Sequence, residues 1–265
     1  MITLIVILAL VYLFCLMGRR NHPNMPKLRQ WKYAHRGLHD AQKPENSMAA
    51  FRAALEKGYG VELDIHLLKD GNLAVFHDSK LERITGQTGV IEDLTTDELK
   101  NYYLRDSDQT IPEFREVLEL FAGKAPIIVE LKSYNNNSAA LCEAACKMLD
   151  GYDGLYCMES FDPRAVRWLR KNRPDIVRGQ LSENWIGQDL PYPAILKFAM
   201  TYQIGNVYSR PDFIAYKFEH RKTFGVGICR KLMGLTGVSW TIKTREQFDT
   251  AVAEGWIPIF EGFEP

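Results

Sequence analysis

Segments with the character of β-strands alternate with helical segments along most of this 265-residue chain. The strand-like segments are, in order, YAHR, VELDI, IIVELK, LYCMESF, VRGQL, DFIAY, VSWTI and IPIFEG. Helical patterns between them cover residues 45–58, 111–124, 138–149, 163–173 and 244–255. Such alternation is typical of a parallel sheet covered by helices. Eight strands in a chain of this length predict an α/β fold, the (β/α)8 TIM barrel.

A ninth strand-like segment, LAVFH at residues 73–77, follows VELDI too closely to be its parallel neighbour, because a parallel crossover needs roughly a dozen residues. The Asp70-Gly71 pair between the two segments is a hairpin turn signal. If these two residues form the turn, position 64 pairs with position 77, and His77 lies beside Asp64. We therefore expect a hairpin that extends from the barrel mouth, with His66 at its rim.

The beginning of the chain differs from the rest. Residues 2–17, ITLIVILALVYLFCLM, form an uncharged apolar run, near the lower length limit for a membrane span. A secretory signal peptide usually has Lys or Arg before its apolar core. None precedes this run. The sequence thus predicts a transmembrane anchor over residues 1–20, a linker over 21–30 and one domain over 31–265.

Basic residues follow the apolar run: Arg19, Arg20, Lys27, Arg29 and Lys32. By the positive-inside rule they predict a single-pass protein of the cell membrane whose main domain faces the cytoplasm.

Charged side chains collect where the first predicted strands end. Residues two apart on a strand share a face, and the carboxyl ends of barrel strands meet at one mouth. The side chains expected there are His35, Arg36, Glu62, Asp64, His77, Glu130 and Lys132. Each has an ordinary structural explanation when taken singly, such as a salt bridge between Glu130 and Lys132, but their joint position at one mouth favours a functional site.

The chemistry of this set points to cleavage of a phosphoester. Three carboxylates suit a hard divalent cation, Mg²⁺ or Ca²⁺, and Arg and Lys suit phosphate oxygens. Two histidines suit a general acid and a general base. A formal net charge of zero gives no indication of a nucleic-acid surface.

An ordered series of motifs resembles the glycerophosphodiester phosphodiesterase family. The motifs are AHRG, PENSMAAFRAALEKG, VELDIHLLKDGNLAVFHD, LERITGQTG, DLTTDEL, IPEFREVL and VELK, which run from about Tyr33 to Lys132. The resemblance implies a (β/α)8 barrel with a small insertion after the hairpin, at about residues 79–110. It also implies hydrolysis of glycerophosphodiesters to glycerol 3-phosphate and an alcohol with a divalent cation.

The resemblance assigns roles to individual residues. It implies metal ligands at Glu62, Asp64 and Glu130 and catalytic histidines at His35 and His77. Contacts to substrate are implied for Arg36 and Lys132, which match phosphate-contacting positions, and the Glu-Asn motif of the barrel mouth falls on Glu45 and Asn46. Two strand-end aromatics, Phe161 and Trp240, are candidates to pack on the glycerol or alcohol group, or else belong to the core.

Three functions remain open at this point. The first is a membrane-anchored glycerophosphodiester phosphodiesterase. The second is the same chemistry on a lipid phosphodiester, as in a lysophospholipase D, which the apolar N-terminal run suggests. The third is a catalytically silent binding module tethered to the membrane, which the complete set of acids, histidines and cations disfavours.

Overall fold

Eight strands pair in parallel and close into a barrel in the computed structural model, which describes residues 1–265. The strands of the sheet are β1 (Tyr33–His35), β2 (Gly60–Leu67), β3 (Leu73–Val75), β4 (Ile127–Leu131), β5 (Tyr156–Ser160), β6 (Arg178–Ser182), β7 (Phe213–Lys217), β8 (Thr236–Ile242) and β9 (Trp256–Phe260). The barrel order is β1-β2-β4-β5-β6-β7-β8-β9, and β9 pairs again with β1. The predicted (β/α)8 barrel is confirmed, since each predicted strand segment forms one of its strands.

Helices surround this barrel. They are α1 (Ile2–Leu16), α2 (Met25–Leu28), α3 (Met48–Glu56), α4 (Glu82–Thr85), α5 (Thr96–Leu99), α6 (Phe114–Phe121), α7 (Ser138–Leu149), α8 (Pro163–Asn172), α9 (Ala194–Thr201), α10 (Asn206–Ser209), α11 (Phe224–Gly227) and α12 (Arg245–Ala253). Short 3₁₀ turns cover Ile91–Asp93 and Phe218–His220, and a π-helical turn covers Ile228–Leu232. Helix α3 is capped by Ser47, whose hydroxyl accepts a hydrogen bond from the Ala50 N–H at 3.1 Å.

Alternation along the strands separates the core from the site. Val61, Leu63 and Ile65 of β2 belong to the apolar cluster of 37 buried residues that includes residues of the surrounding helices. Glu62 and Asp64 alternate with them and therefore point into the barrel. A second cluster of 12 buried residues, including Tyr33 and residues of α2, fills the barrel interior near the amino ends of the strands.

The predicted hairpin is present, but its predicted register is wrong. Residue Ile65 pairs with Val75 and Leu67 with Leu73, so Asp64 is level with Phe76, whose N–H donates to the Asp64 carbonyl at 3.0 Å. The turn contains three residues rather than two, with Gly71 at φ +86°, a common geometry for three-residue hairpin loops. One extra turn residue shifts the pairing by one position.

A small insertion follows the hairpin, as expected for about residues 79–110. It contains α4, α5 and a 3₁₀ turn, and contributes most of a separate cluster of ten buried apolar residues. Its helix α5 begins with a capping box in which the Thr95 N–H donates to Glu98 at 2.7 Å.

The predicted transmembrane helix over residues 1–20 is not supported. Helix α1 has 15 residues and ends at Leu16, because the chain becomes extended at Met17 and Gly18 packs directly on the Pro211 carbonyl. At 1.5 Å per residue its length is about 22 Å, short of the roughly 30 Å of a bilayer core. None of the helices combines the length and the apolar character needed to cross a membrane.

Residues 19–30, which contain the whole predicted linker, pack against the amino-terminal end of the barrel. Arg19 forms an ion pair with Asp212, and Arg29 donates to the Thr236 hydroxyl. Met25 is buried in the interior cluster. Part of the basic cluster is therefore used to close the bottom of the barrel.

Candidate active site

Three carboxylates lie together at the carboxyl end of β2 and β4. The parallel register places Asp64 level with Glu130, and it places Glu62 level with His35 of β1. Ligand oxygens of Glu62, Asp64 and Glu130 all lie within 4.8 Å of one another, and the three residues are 3%, 1% and 7% exposed. The strand register therefore brings together the acids that the sequence predicted as metal ligands.

The electrostatics of this cluster are those of a cation site. Burial and the charges of Asp64 and Glu130 raise the pKa of Glu62 well above its usual range, and burial also raises the pKa of Glu130. Burial acts in the same direction at Asp64, but the charge of Lys132 and other nearby cations holds its pKa well below the usual range. Three buried carboxyls at this spacing are stabilised by a divalent cation that accepts oxygen ligands, so the donor set fits Mg²⁺ or Ca²⁺.

Two cationic side chains contact the same acids. The Lys132 ammonium lies 2.8 Å from Glu130 Oε1 and 3.0 Å from Asp64 Oδ1. Arg36 donates to Glu45 at 2.7 Å, and its Nε lies 3.4 Å from Asp64 Oδ2. Both predicted phosphate-contacting residues are thus at the acid cluster, where they balance part of its charge.

His35 stands between two carboxylates at the end of β1. Its Nδ1 donates to Glu261 Oε2 at 2.5 Å, and its Nε2 lies 3.8 Å from Glu62 Oε2. Burial lowers the pKa of His35 to about 4, although the bond to Glu261 acts in the opposite direction. His35 is therefore neutral near pH 7, and Glu261 fixes the tautomer whose Nε2 can accept a proton.

His77 reaches the site from just beyond the paired part of the hairpin. Its Nδ1 contacts Asp78 Oδ1 at 2.6 Å. The hydrogen bond from His77, together with Arg83, keeps the pKa of Asp78 well below its usual range. His66 is not at the rim as expected: it is buried, with Nδ1 on Glu92 at 2.6 Å and Nε2 on the His77 carbonyl at 3.1 Å. It thereby supports the backbone that carries His77.

The predicted Glu-Asn pair lies behind the acid cluster and does not line the cavity above it. Asn46 is buried and its amide donates to Asp64 Oδ2 at 2.8 Å. Glu45 accepts from Arg36 and, at 2.7 Å, from Arg83 of the insertion. This pair orients Asp64 and Arg36.

Two adjoining cavities open above the acids. The inner one, of about 230 Å³, is lined by both histidines, Arg36, Glu62 and the predicted aromatics Phe161 and Trp240, among others. The outer one, of about 700 Å³, continues past Phe161 to an apolar wall of Trp185, Leu190, Tyr192, Leu196 and Met200. The Phe161 and Trp240 rings meet edge to face, with centroids 5.7 Å apart. Phe161, which lines both cavities, therefore marks the passage between a polar and an apolar space, and Trp240 packs against it from the inner cavity.

Several residues of the site were not singled out from the sequence. Glu261 follows β9 directly, and Asp78 follows His77, so the strand-end signal that identified the other acids also applied to them. Glu159 of β5 is level with Glu130 and lines the inner cavity. Burial, with the charges of Glu130 and Asp64, raises the pKa of Glu159 well above its usual range.

Comparisons with known proteins agree with this geometry. The model of the glycerophosphoryl diester phosphodiesterase family matches residues 35–223. A glycerophosphodiester phosphodiesterase of Bacillus altitudinis is 41% identical over 111 residues, which are 39% of this chain and 45% of that protein. One from Caldanaerobacter subterraneus is 33% identical over 159 residues, 56% of this chain and 65% of that protein. The matched region thus spans less than two thirds of either relative.

Among solved structures, a phosphodiesterase of Oleispira antarctica in complex with the product sn-glycerol-3-phosphate has the same fold. The TM-score is 0.72 at 22% sequence identity, and the match covers 87% of this chain and 92% of that one.

Proposed function

Because the chain belongs to the glycerophosphoryl diester phosphodiesterase family, we propose that it hydrolyses glycerophosphodiesters to glycerol 3-phosphate and an alcohol with the help of a divalent cation. The observation that carries the proposal is the buried cluster of Glu62, Asp64 and Glu130, whose oxygens lie within 4.8 Å of one another below two histidines that line the same cavity. The product complex of the Oleispira antarctica phosphodiesterase supports the choice of product.

The cation would be held by Glu62, Asp64 and Glu130, and when bound it would offset the negative charge of the phosphodiester. Lys132 and Arg36 would then direct their charges to the phosphate oxygens, as the residue types best suited to that contact. Glu45 would keep Arg36 in place through the 2.7 Å bond that it already accepts.

His35 is the better candidate for the general base. It is neutral at pH 7 because its pKa is about 4, and its Nδ1–H is held by Glu261, so that Nε2 accepts the proton of the glycerol hydroxyl or of water. Glu261 stabilises the imidazolium that forms, in the way a carboxylate behind a histidine commonly does.

His77 is the better candidate for the general acid. Its Nδ1 is hydrogen-bonded to the ionised Asp78, which stabilises the protonated ring. A protonated His77 can give its other proton to the alkoxide that leaves the phosphorus. Phe161 and Trp240, which both line the inner cavity, would pack against the glycerol or alcohol group.

A panel of substrates tests the proposal. The full chain is incubated with glycerophosphocholine, glycerophosphoethanolamine and glycerophosphoglycerol, and glycerol 3-phosphate is measured with a coupled dehydrogenase. Each reaction is run with metal, with excess chelator, and with metal restored. Release of glycerol 3-phosphate that depends on the cation supports the proposal, and absence of release from every substrate contradicts it.

The outer cavity favours a second candidate, lysophospholipase D-type hydrolysis. Its volume of about 700 Å³ and its apolar wall suit an acyl chain on the glycerol better than a small head group. Comparing lysophosphatidylcholine with glycerophosphocholine separates the two substrates, and Leu196→Glu should reduce hydrolysis of the acylated one alone. Equal losses on both substrates would exclude the acyl-chain interpretation.

A further inference from the structure

Most of helix α1 stands free of the barrel. Residues 2–11 are exposed on every side of the helix, and all of their side chains are apolar except that of Thr3. Contact with the rest of the chain begins at Tyr12, whose ring stacks on Phe224 at 6.4 Å and whose hydroxyl donates to the Tyr202 carbonyl. It continues to the last residue of the helix, Leu16, which is fully buried.

These contacts fix the direction of the free part. The π-helical turn that follows α11 runs from the mouth toward the amino ends of the strands, since α11 follows β7 and the turn precedes β8. Tyr12 contacts Phe224 at the start of α11, whereas the Leu16 carbonyl contacts Cys229 further down. Residues 2–11 therefore extend past the mouth of the barrel, by about 15 Å for ten residues at 1.5 Å each.

The surface around the point where α1 leaves the barrel is apolar and basic. Exposed apolar side chains on this side include Ile195, Phe198 and Phe224. The two segments that flank α1, residues 190–204 and 220–233, contain no Asp or Glu. The cations at the mouth end of these segments are Lys197, Lys222 and Arg221, of which Arg221 is paired with Glu254 at 2.8 Å. Arg230 and Lys231 lie at the opposite end of the same helical segment. The apolar helix therefore suits the hydrocarbon of a bilayer, and Lys197 and Lys222 beside it suit anionic lipid headgroups.

We propose that α1 inserts into an anionic lipid bilayer and holds the mouth of the barrel toward the same leaflet. A helix that is apolar all round needs an apolar environment on every side, whereas a second copy of the chain would cover only one side. The free length of about 15 Å reaches roughly half of a 30 Å hydrocarbon core, so the helix enters the facing leaflet. This proposal goes beyond the hydrolysis proposed above and does not depend on it.

Vesicle sedimentation tests the insertion. The full chain should sediment with phosphatidylglycerol–phosphatidylcholine vesicles, and less with phosphatidylcholine alone. The double variant Leu4→Glu/Leu8→Glu should bind at least about tenfold more weakly, since a charge in the hydrocarbon is costly. Val252→Glu, which places a carboxylate at an exposed apolar position of α12, should bind like the unmodified chain. Glycerophosphocholine hydrolysis, measured without vesicles, should be equal in all of them.

The outcomes separate the two proposals. Failure to sediment, or equal binding of the double variant, overturns the insertion even if hydrolysis is intact. Absence of hydrolysis with normal sedimentation overturns only the proposed function. A stable dimer in the absence of vesicles, dissociated by the double variant and without vesicle binding, would show that a second copy covers α1.

A pair of tryptophan variants tests the orientation. Phe224 and Leu232 are 68% and 63% exposed and lie at opposite ends of the same helical segment. Brominated lipid should quench the fluorescence added by Phe224→Trp and not that added by Leu232→Trp, after subtraction of the emission of the unmodified chain. Quenching of Leu232→Trp alone, or of both equally, would overturn the orientation of the mouth.

Discussion

Glu261 offers the sharpest test of the site, because its interaction with His35 was seen only in the structure. Its carboxylate accepts the Nδ1–H of His35 at 2.5 Å, and its only other charged contact is Lys243 at 3.7 Å. Glu261→Gln keeps the shape and removes the charge. The amide can also turn its N–H toward Nδ1, which would move the imidazole proton to Nε2 and block proton acceptance there.

The size of the effect follows from the single bond that is lost. A hydrogen bond to a charged group contributes about 1.5–3 kcal/mol, and about 1.4 kcal/mol corresponds to a factor of ten in rate. We expect kcat to fall about ten- to hundredfold. The charge of Glu261 also raises the pKa of His35 against the larger lowering by burial, so the acidic limb of kcat/KM should move to lower pH in the variant.

Hydrolysis of glycerophosphocholine between pH 3 and 9 measures both effects. Glu264→Gln is the matched control, because Glu264 lies on the same segment and its carboxylate contacts Lys57 at 3.0 Å instead of the site. Its kcat and pH profile should not change. An unchanged kcat in Glu261→Gln, or an acidic limb that moves to higher pH, would refute the role given to this pair.

Chelation should abolish hydrolysis and one divalent cation should restore it, and full activity in excess chelator would contradict the cation site. Glu62→Gln should raise the cation concentration needed for half-maximal rate, because a neutral amide replaces a charged carboxylate. His35→Ala and His77→Ala should each lower kcat by at least about a hundredfold with cation affinity nearly unchanged, and the double variant should be little worse because the pair acts as a unit. Loss of cation binding in His77→Ala would instead make His77 a ligand. Burial raises the pKa of Glu45, but its two arginine partners lower it to about 2 from 4.5. The ionised Glu45 therefore stabilises the folded chain by at most about 3 kcal/mol. This contribution is complete above about pH 4.5 and is lost as the pH falls toward 2. Urea unfolding should therefore show the chain and Glu45→Gln converging from pH 5 to pH 2, and a constant difference would contradict this.

The barrel could be predicted because its signal is repeated along the chain. Strands buried on both faces and separated by helices have few alternative folds. The acids of β2 and β4 could be placed together for a similar reason. Strand periodicity predicts the face on which Glu62, Asp64 and Glu130 lie, and the carboxyl ends of barrel strands meet at one mouth.

What could not be predicted depends on single residues or on distant contacts. The hairpin register depends on whether Lys69 belongs to the turn together with Asp70 and Gly71. The Asp-Gly pair alone does not determine this. The buried position of His66 depends on Glu92 in the insertion. The end of α1 depends on packing of Gly18 against Pro211, almost two hundred residues away in sequence. The apolar composition of the run therefore predicted a helix that is too long.

The closure of the ring between β1 and β9 has a consequence for folding. His35 and Glu261 are 226 residues apart in sequence and meet only when the last strand pairs with the first. Contacts of such long range form late and slowly in folding. A nascent chain still on the ribosome, or a refolding intermediate with every helix in place, therefore has its acids but not its oriented imidazole. The return of hydrolysis during refolding should lag behind the return of helical circular dichroism and report the moment at which the ring closes.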